Sequence, residues 1–128
     1  MTQYLLAVYR DYALPIPPEV TRQTWDGVVT LNKRMTDAGA YVFQSGLIPP
    51  ESATVVRQSD GDFLITDGPY TETKEHLAGF YIVNAAHLDA ALEWAKQAAF
   101  AQQRAVEVRR FFDGDLDDAL RARAHETQ

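Results

Sequence analysis

The residue of this 128-residue chain with most scope for chemistry is Asp67. It closes the apolar run Phe63-Leu64-Ile65-Thr66 and precedes Gly68-Pro69, so a strand should end at it and a tight turn begin. A carboxyl group partly buried there would have a raised pKa and could act as general base or acid. An aspartate at a turn can equally accept backbone N–H bonds two or three residues on, which is a structural use only. Gly68 and Pro69 read as backbone residues: the glycine takes dihedral angles that side chains bar, and the proline fixes its own φ and restricts its predecessor.

Glu72 and His76 lie four apart, and on the short polar helix expected over Thr71 to His76 they share a face. The carboxylate could hold one imidazole nitrogen and make a proton relay. With Asp67 added, the pair could hold a metal, but His87 and His125 are remote and His-x-x-x-His is absent, so no metal is expected. A solvated, salt-bridging helix would use Glu72, Lys74, Glu75 and His76 just as well. Glu107 and Arg109 alternate with Val106 and Val108, so on a strand the two charges share a face. If that face lines a cavity, Arg109 could clamp a carboxylate or an enolate-like oxygen, with Arg57 as a second candidate. An ion pair within or between subunits would occupy the same residues. Tyr9, Tyr41, Phe43 and Tyr81 could line an apolar cavity, or simply pack. Core packing is the expected use of Trp25 and Trp94, although Trp94 lies off its helix's apolar stripe and could face a partner or solvent.

The elements that must position these residues follow from period and punctuation. Gln3 to Tyr9 is almost wholly apolar, as in a strand covered on both faces. After Pro15, Pro17 and Pro18, Trp25, Val28, Leu31, Met35 and Ala38 recur at helical spacing, with Gly39 as the stop. Tyr41 to Leu47 reads as a strand ended by Pro49-Pro50. Ala53 to Gln58 and Phe63 to Thr66 form a hairpin around Asp60-Gly61. Phe80 to Val83 is the next strand. Leu88, Ala91, Leu92, Ala95 and Ala99 mark a second helix, and Ala105 to Phe112 is the last strand. Residues 1–114 form one domain; 115–128 form a C-terminal tail, a loose helix with little to bury. Without the hairpin the order is βαββαβ, a ferredoxin-like α+β fold with an antiparallel sheet and helices on one face. The other face then needs a cover, and a second copy is the simplest one. A homodimer with sheet on sheet, enclosing a cavity, is the expectation.

Hydrophobic residues at 46% and charged residues at 23% permit a packed core, and no apolar run is long enough to cross a bilayer. The start lacks a basic region before a cleavage site, so cytoplasm is the expected location. A formal net charge of −6 without an obvious basic cluster disfavours nucleic acid. With no cysteine, disulfides and thiolate chemistry are excluded. Gly-x-Gly-x-x-Gly, P-loop, Gly-x-Ser-x-Gly and aromatic RNP motifs are all missing, which argues against a nucleotide cofactor, serine hydrolysis and RNA recognition. No cofactor is expected.

The run Ile65-Thr66-Asp67-Gly68-Pro69-Tyr70-Thr71-Glu72-Thr73-Lys74-Glu75-His76-Leu77-Ala78-Gly79-Phe80-Tyr81 resembles the signature of the DGPF branch of the YCII-related family. The resemblance continues at Gly46-Leu47, Thr54-Val55-Val56-Arg57, Leu88 to Ala95 and Val106-Glu107-Val108-Arg109. Tyr70 stands where the family usually has Phe, which adds a hydroxyl that a ligand could use. His76 stands where Gln is common, and Arg110 where Pro often is. The resemblance implies a dimeric α+β barrel similar in architecture to muconolactone isomerase. It brings no established reaction, though a His-Asp pair is suspected as an active site in relatives. Association of DGPF proteins with extracytoplasmic-function sigma factors suggests a stress or signalling context.

Two functions are therefore expected in competition. One is a dimeric small-molecule enzyme or binder for an anionic or carbonyl-containing molecule. In it Asp67 serves as base, His76 as relay, Arg109 or Arg57 as anion stabiliser, and Glu107 and Tyr70 line the pocket. The other is a non-catalytic regulatory or interaction module.

Overall fold

The computed structural model describes residues 1–126 and has the expected α+β order. Strand β1 (Thr2–Arg10) leads to helix α1 (Pro18–Asp37) and β2 (Tyr41–Gly46). A 3₁₀ turn at Pro50–Ser52 precedes the hairpin of β3 (Thr54–Ser59) and β4 (Asp62–Asp67). Then come β5 (His76–Ala85), α2 (Leu88–Gln102), β6 (Val106–Arg110) and α3 (Leu116–Glu126). Residues 127–128 of the expected tail lie outside the described residues, as does the side chain of His125.

Four strands form one antiparallel sheet in the order β2-β5-β1-β6, the ferredoxin-like arrangement once the hairpin is set aside. Alternation divides its side chains between two faces. Tyr4, Leu6 and Val8 of β1 lie beside Tyr81 and Val83 of β5 and Val106 and Val108 of β6 on the helix side. Leu31 and Met35 of α1 and Ala91, Ala95 and Ala98 of α2 close that core. Burying each large apolar side chain there contributes about 1.5–3 kcal/mol. The helices approach closely because Gly27 has no Cβ: a methyl there would lie 3.2 Å from the Ala101 Cβ.

Local signals explain the element ends. Pro18 at the first turn and Glu19 beside it start α1, and Gly39, at φ 74°, ends it. His87 caps α2: its Nδ1 accepts a hydrogen bond from the Ala90 N–H at 3.2 Å. Gln103 in the left-handed region closes that helix.

Three readings are corrected. Thr71 to His76 is not helical. The segment has no apolar stripe to bury, and the Thr73 hydroxyl instead donates to the Glu75 carbonyl at 2.7 Å, a local turn that competes with helix. His76 begins β5, opposite Arg10. In α2 the alanines form the buried face, while Leu88 and Leu92 lie at its exposed margin. Trp25 is 72% exposed rather than core, whereas Trp94 does pack against the core. Of the four aromatics that could line a cavity or simply pack, Tyr81 is fully buried and Tyr41 packs on the core, while Tyr9 and Phe43 lie on the opposite side of the sheet. Among the described residues no helix is long and apolar enough to cross a membrane.

Candidate functional site

The face of the sheet away from the helices carries Leu5, Phe43, Phe80 and Ile82, placed together by the pairings Leu5↔Ile82 and Phe43↔Ile82. The rings of Phe43 and Phe80 stack obliquely, 5.9 Å apart. Edge strand β6 brings Glu107 beside Ala7 and Arg109 beside Leu5, so the two charges do share this face. The Tyr9 hydroxyl donates to Glu107 Oε1 at 3.4 Å. Partial burial first, and then the Glu107 charge, raise the Tyr9 pKa above its ordinary value, while Arg109 pulls the other way. The proton is thereby held on the tyrosine, next to an anion that can take one and a cation that can steady an oxyanion.

The hairpin holds a second group. Its register runs from Thr54↔Asp67 to Ser59↔Asp62. Gly68 closes its base, donating its N–H to the Ala53 carbonyl at 2.7 Å with φ 104°, a conformation that excludes a side chain without strain. Arg57 lies over the Tyr70 ring, 5.3 Å from its centroid, so these two candidates do meet. Asp67 is exposed at the end of β4.

His76 belongs to neither group. It lines a shallow groove of about 440 Å³ with Asp11, Tyr12, Pro69, Glu72 and Lys74. Its ring lies 6.4 Å from that of Tyr12. Asp11 accepts the Ala13 N–H at 3.0 Å and stands 4.0 Å from the Lys74 ammonium. Glu72 and His76 line one groove from a loop and from the start of β5, not from one helix face. Asp67 and Arg109 share none of the molecule's larger concavities. Among the described residues no group of three or more His, Asp or Glu side chains is arranged to hold a metal ion.

Sequence reasoning passed over Arg10, Asp11, Tyr12 and Arg104. The first three follow an apolar strand and look like its solvated end. Arg104 follows a helix and looks like its polar exit. The strand continuing straight into Arg10-Asp11-Tyr12, two charges and an aromatic ring, was the available signal.

The model of the YCII-related domain family matches residues 1–114. An uncharacterised protein of Rhizobium meliloti is 37% identical over 71 residues, covering 56% of this chain and 57% of that relative. The matched part thus spans little more than half the length of either protein.

Proposed function

The chain belongs to the YCII-related family, and from that premise we propose that it works as a homodimer sheltering a small anionic or carbonyl-containing molecule between two open sheet faces. The observation that carries the proposal is the composition of that face. Leu5, Phe43, Phe80 and Ile82 form an apolar field with Glu107 and Arg109 along one edge. Such a field calls for a cover. A second copy supplies a matching one, because a twofold interface sets the same patch of both subunits against itself. Inside the cleft, Glu107 accepts a proton from a carbon acid, Tyr9 donates one, and Arg109 stabilises the oxyanion. This is isomerase- or lyase-like chemistry without a cofactor. Asp67, Arg57 and Tyr70, carried on the hairpin, take part only where the hairpin reaches the partner's cleft. His76 serves its own groove.

Ile82→Asp places a charge in the middle of the field. Sedimentation of the wild type at about 100 μM, well above the Kd of a standard-size interface, should show a dimer. Ile82→Asp should show a monomer with unchanged circular dichroism. A monomeric wild type ends the proposal.

The hairpin favours a second reading, a non-catalytic interaction module of the DGPF branch in sigma-factor signalling. Phe63, Leu64 and Ile65 are each more than half exposed on it, a surface suited to a protein partner. In that reading, hairpin substitutions abolish partner binding, while Glu107→Gln changes nothing.

A further inference from the structure

On the helix side of the sheet, α1 stands off its lower end and leaves a half-enclosed cavity of about 550 Å³, within the range of small-molecule sites. Its wall combines two arginines, Arg10 and Arg104, with the side-chain amides of Asn32, Gln44 and Gln102 and an apolar side that includes Trp25, Val28 and Val29. No aspartate or glutamate lines it, in a chain whose formal net charge is −6.

Neither arginine has an ion-pair partner among the described residues. The Arg10 guanidinium lies over the Tyr12 ring, 4.3 Å from its centroid, and its Nε is buried without a hydrogen-bond partner. Burial, and then the neighbouring Arg10 charge, depress the Arg104 pKa. Asp11 and Glu75 line an adjoining groove together with both arginines, yet neither is ion-paired with them, and Asp11 serves the Ala13 N–H and Lys74. Asn32 is half satisfied, since its Nδ2 donates to Gln44 Oε1 at 3.1 Å while its Oδ1 is buried and unpaired. Two repelling cations held together without an ion-paired counter-charge are stabilised by an anion that enters between them. The apolar side favours an organic anion over an inorganic one.

We propose that this cavity binds a small organic carboxylate, the carboxylate lying between Arg10 and Arg104 and the apolar body against Trp25, Val28 and Val29. The site lies within one chain, on the opposite side of the sheet from the proposed dimer face. It therefore needs no second copy.

The test uses benzoate, 2-hydroxybenzoate and hexanoate as probes, with benzamide and inorganic phosphate as comparators. Thermal shift and calorimetry are run on the full chain at about 10 mM ligand, enough to register even millimolar affinity. At least one carboxylate should raise the melting temperature, while benzamide and phosphate should not. Arg10→Gln and Arg104→Gln should each weaken that carboxylate at least about tenfold, the scale of a lost charge-assisted contact. Trp25→Ala alters an exposed side chain, so the fold survives it; it should weaken benzoate more than hexanoate. The proposal is overturned if no carboxylate binds, if benzamide or phosphate binds as well as the best carboxylate, or if binding survives both arginine substitutions. The same titration on Ile82→Asp separates the two sites: the carboxylate response should persist even where the dimer is lost.

Discussion

The four-stranded sheet and the β3–β4 hairpin are built from similarly apolar strands, yet only the sheet has a buried face. Leu6 and Val8 are sealed beneath two helices, while Phe63 and Ile65, in strands of the same character, are 65% and 67% exposed. The difference lies in what each can lean on. Every interior strand of the sheet pairs on both sides and rests on α1 and α2. The hairpin pairs only with itself, and an isolated two-stranded ribbon is marginal in water. Alternation therefore fixes which residues can share a face, and the presence of a second layer decides whether that face is dry.

The largest effect should come from Leu6→Ala, which opens a cavity under the helices. Denaturant unfolding should show a loss of about 2–5 kcal/mol. Gly79→Ala comes next. Its methyl would sit 2.8 Å from the Ser45 carbonyl oxygen and 3.1 Å from the Gly46 Cα, both backbone atoms. Forcing β2 and β5 apart should cost about 1–3 kcal/mol in the same assay. Gly68→Ala strains the hairpin base, where φ is 104°. A cost of about 1 kcal/mol is expected, and hydrogen exchange should quicken in β3 and β4 while β1 and β5 keep their protection. Uniform loss across both sheets would break the comparison.

A smaller effect is tied to pH. Burial raises the Tyr81 pKa, with the hydrogen bond from Gln102 opposing it. The folded value thus exceeds the unfolded one of about 10. Its stabilising contribution is complete below pH 10 or so and is lost as the pH climbs through the folded value. Thermal melts of the wild type should fall in that alkaline window, and those of Tyr81→Phe should fall less. The smallest effect is expected from Phe63→Ser, under about 0.5 kcal/mol in the isolated chain, as for other exposed positions. A loss as large as that of Leu6→Ala would show that the hairpin is packed after all.

Element order was legible in the chain, because β1, α1, the hairpin, β5 and β6 each announce themselves by period or turn chemistry. The Glu107–Arg109 face was legible too, since strand alternation is a local rule. The short helix over Thr71 to His76 was misread: four-residue spacing permits a helix, but nothing apolar there rewards one. Trp25 was misread because helical spacing shows which residues share a face, not where the neighbouring layer stops. The pairing of Arg10 with Arg104 was invisible. They sit near opposite ends of the chain and meet only because β1 and the exit of α2 reach the same corner.

One irregularity governs what gathers at that corner. Val8 faces Gly79 but Tyr9 faces Leu77, so Ala78 is an extra residue on β5 with no opposite number on β1. Counting past it inverts the parity of everything upstream, which sends His76 to the side occupied by Arg10 and Tyr12 and leaves Leu77 on the side of Tyr9. Deleting Ala78 would restore plain alternation from Gly79 and keep both side chains on the sides they now hold, whereas one residue inserted between Val8 and Tyr9 would give Ala78 a partner and act as a frame change. The imidazole and the leucine would then trade places, along with Arg10 and Tyr9, and a polar corner would become a greasy one without any substitution at all.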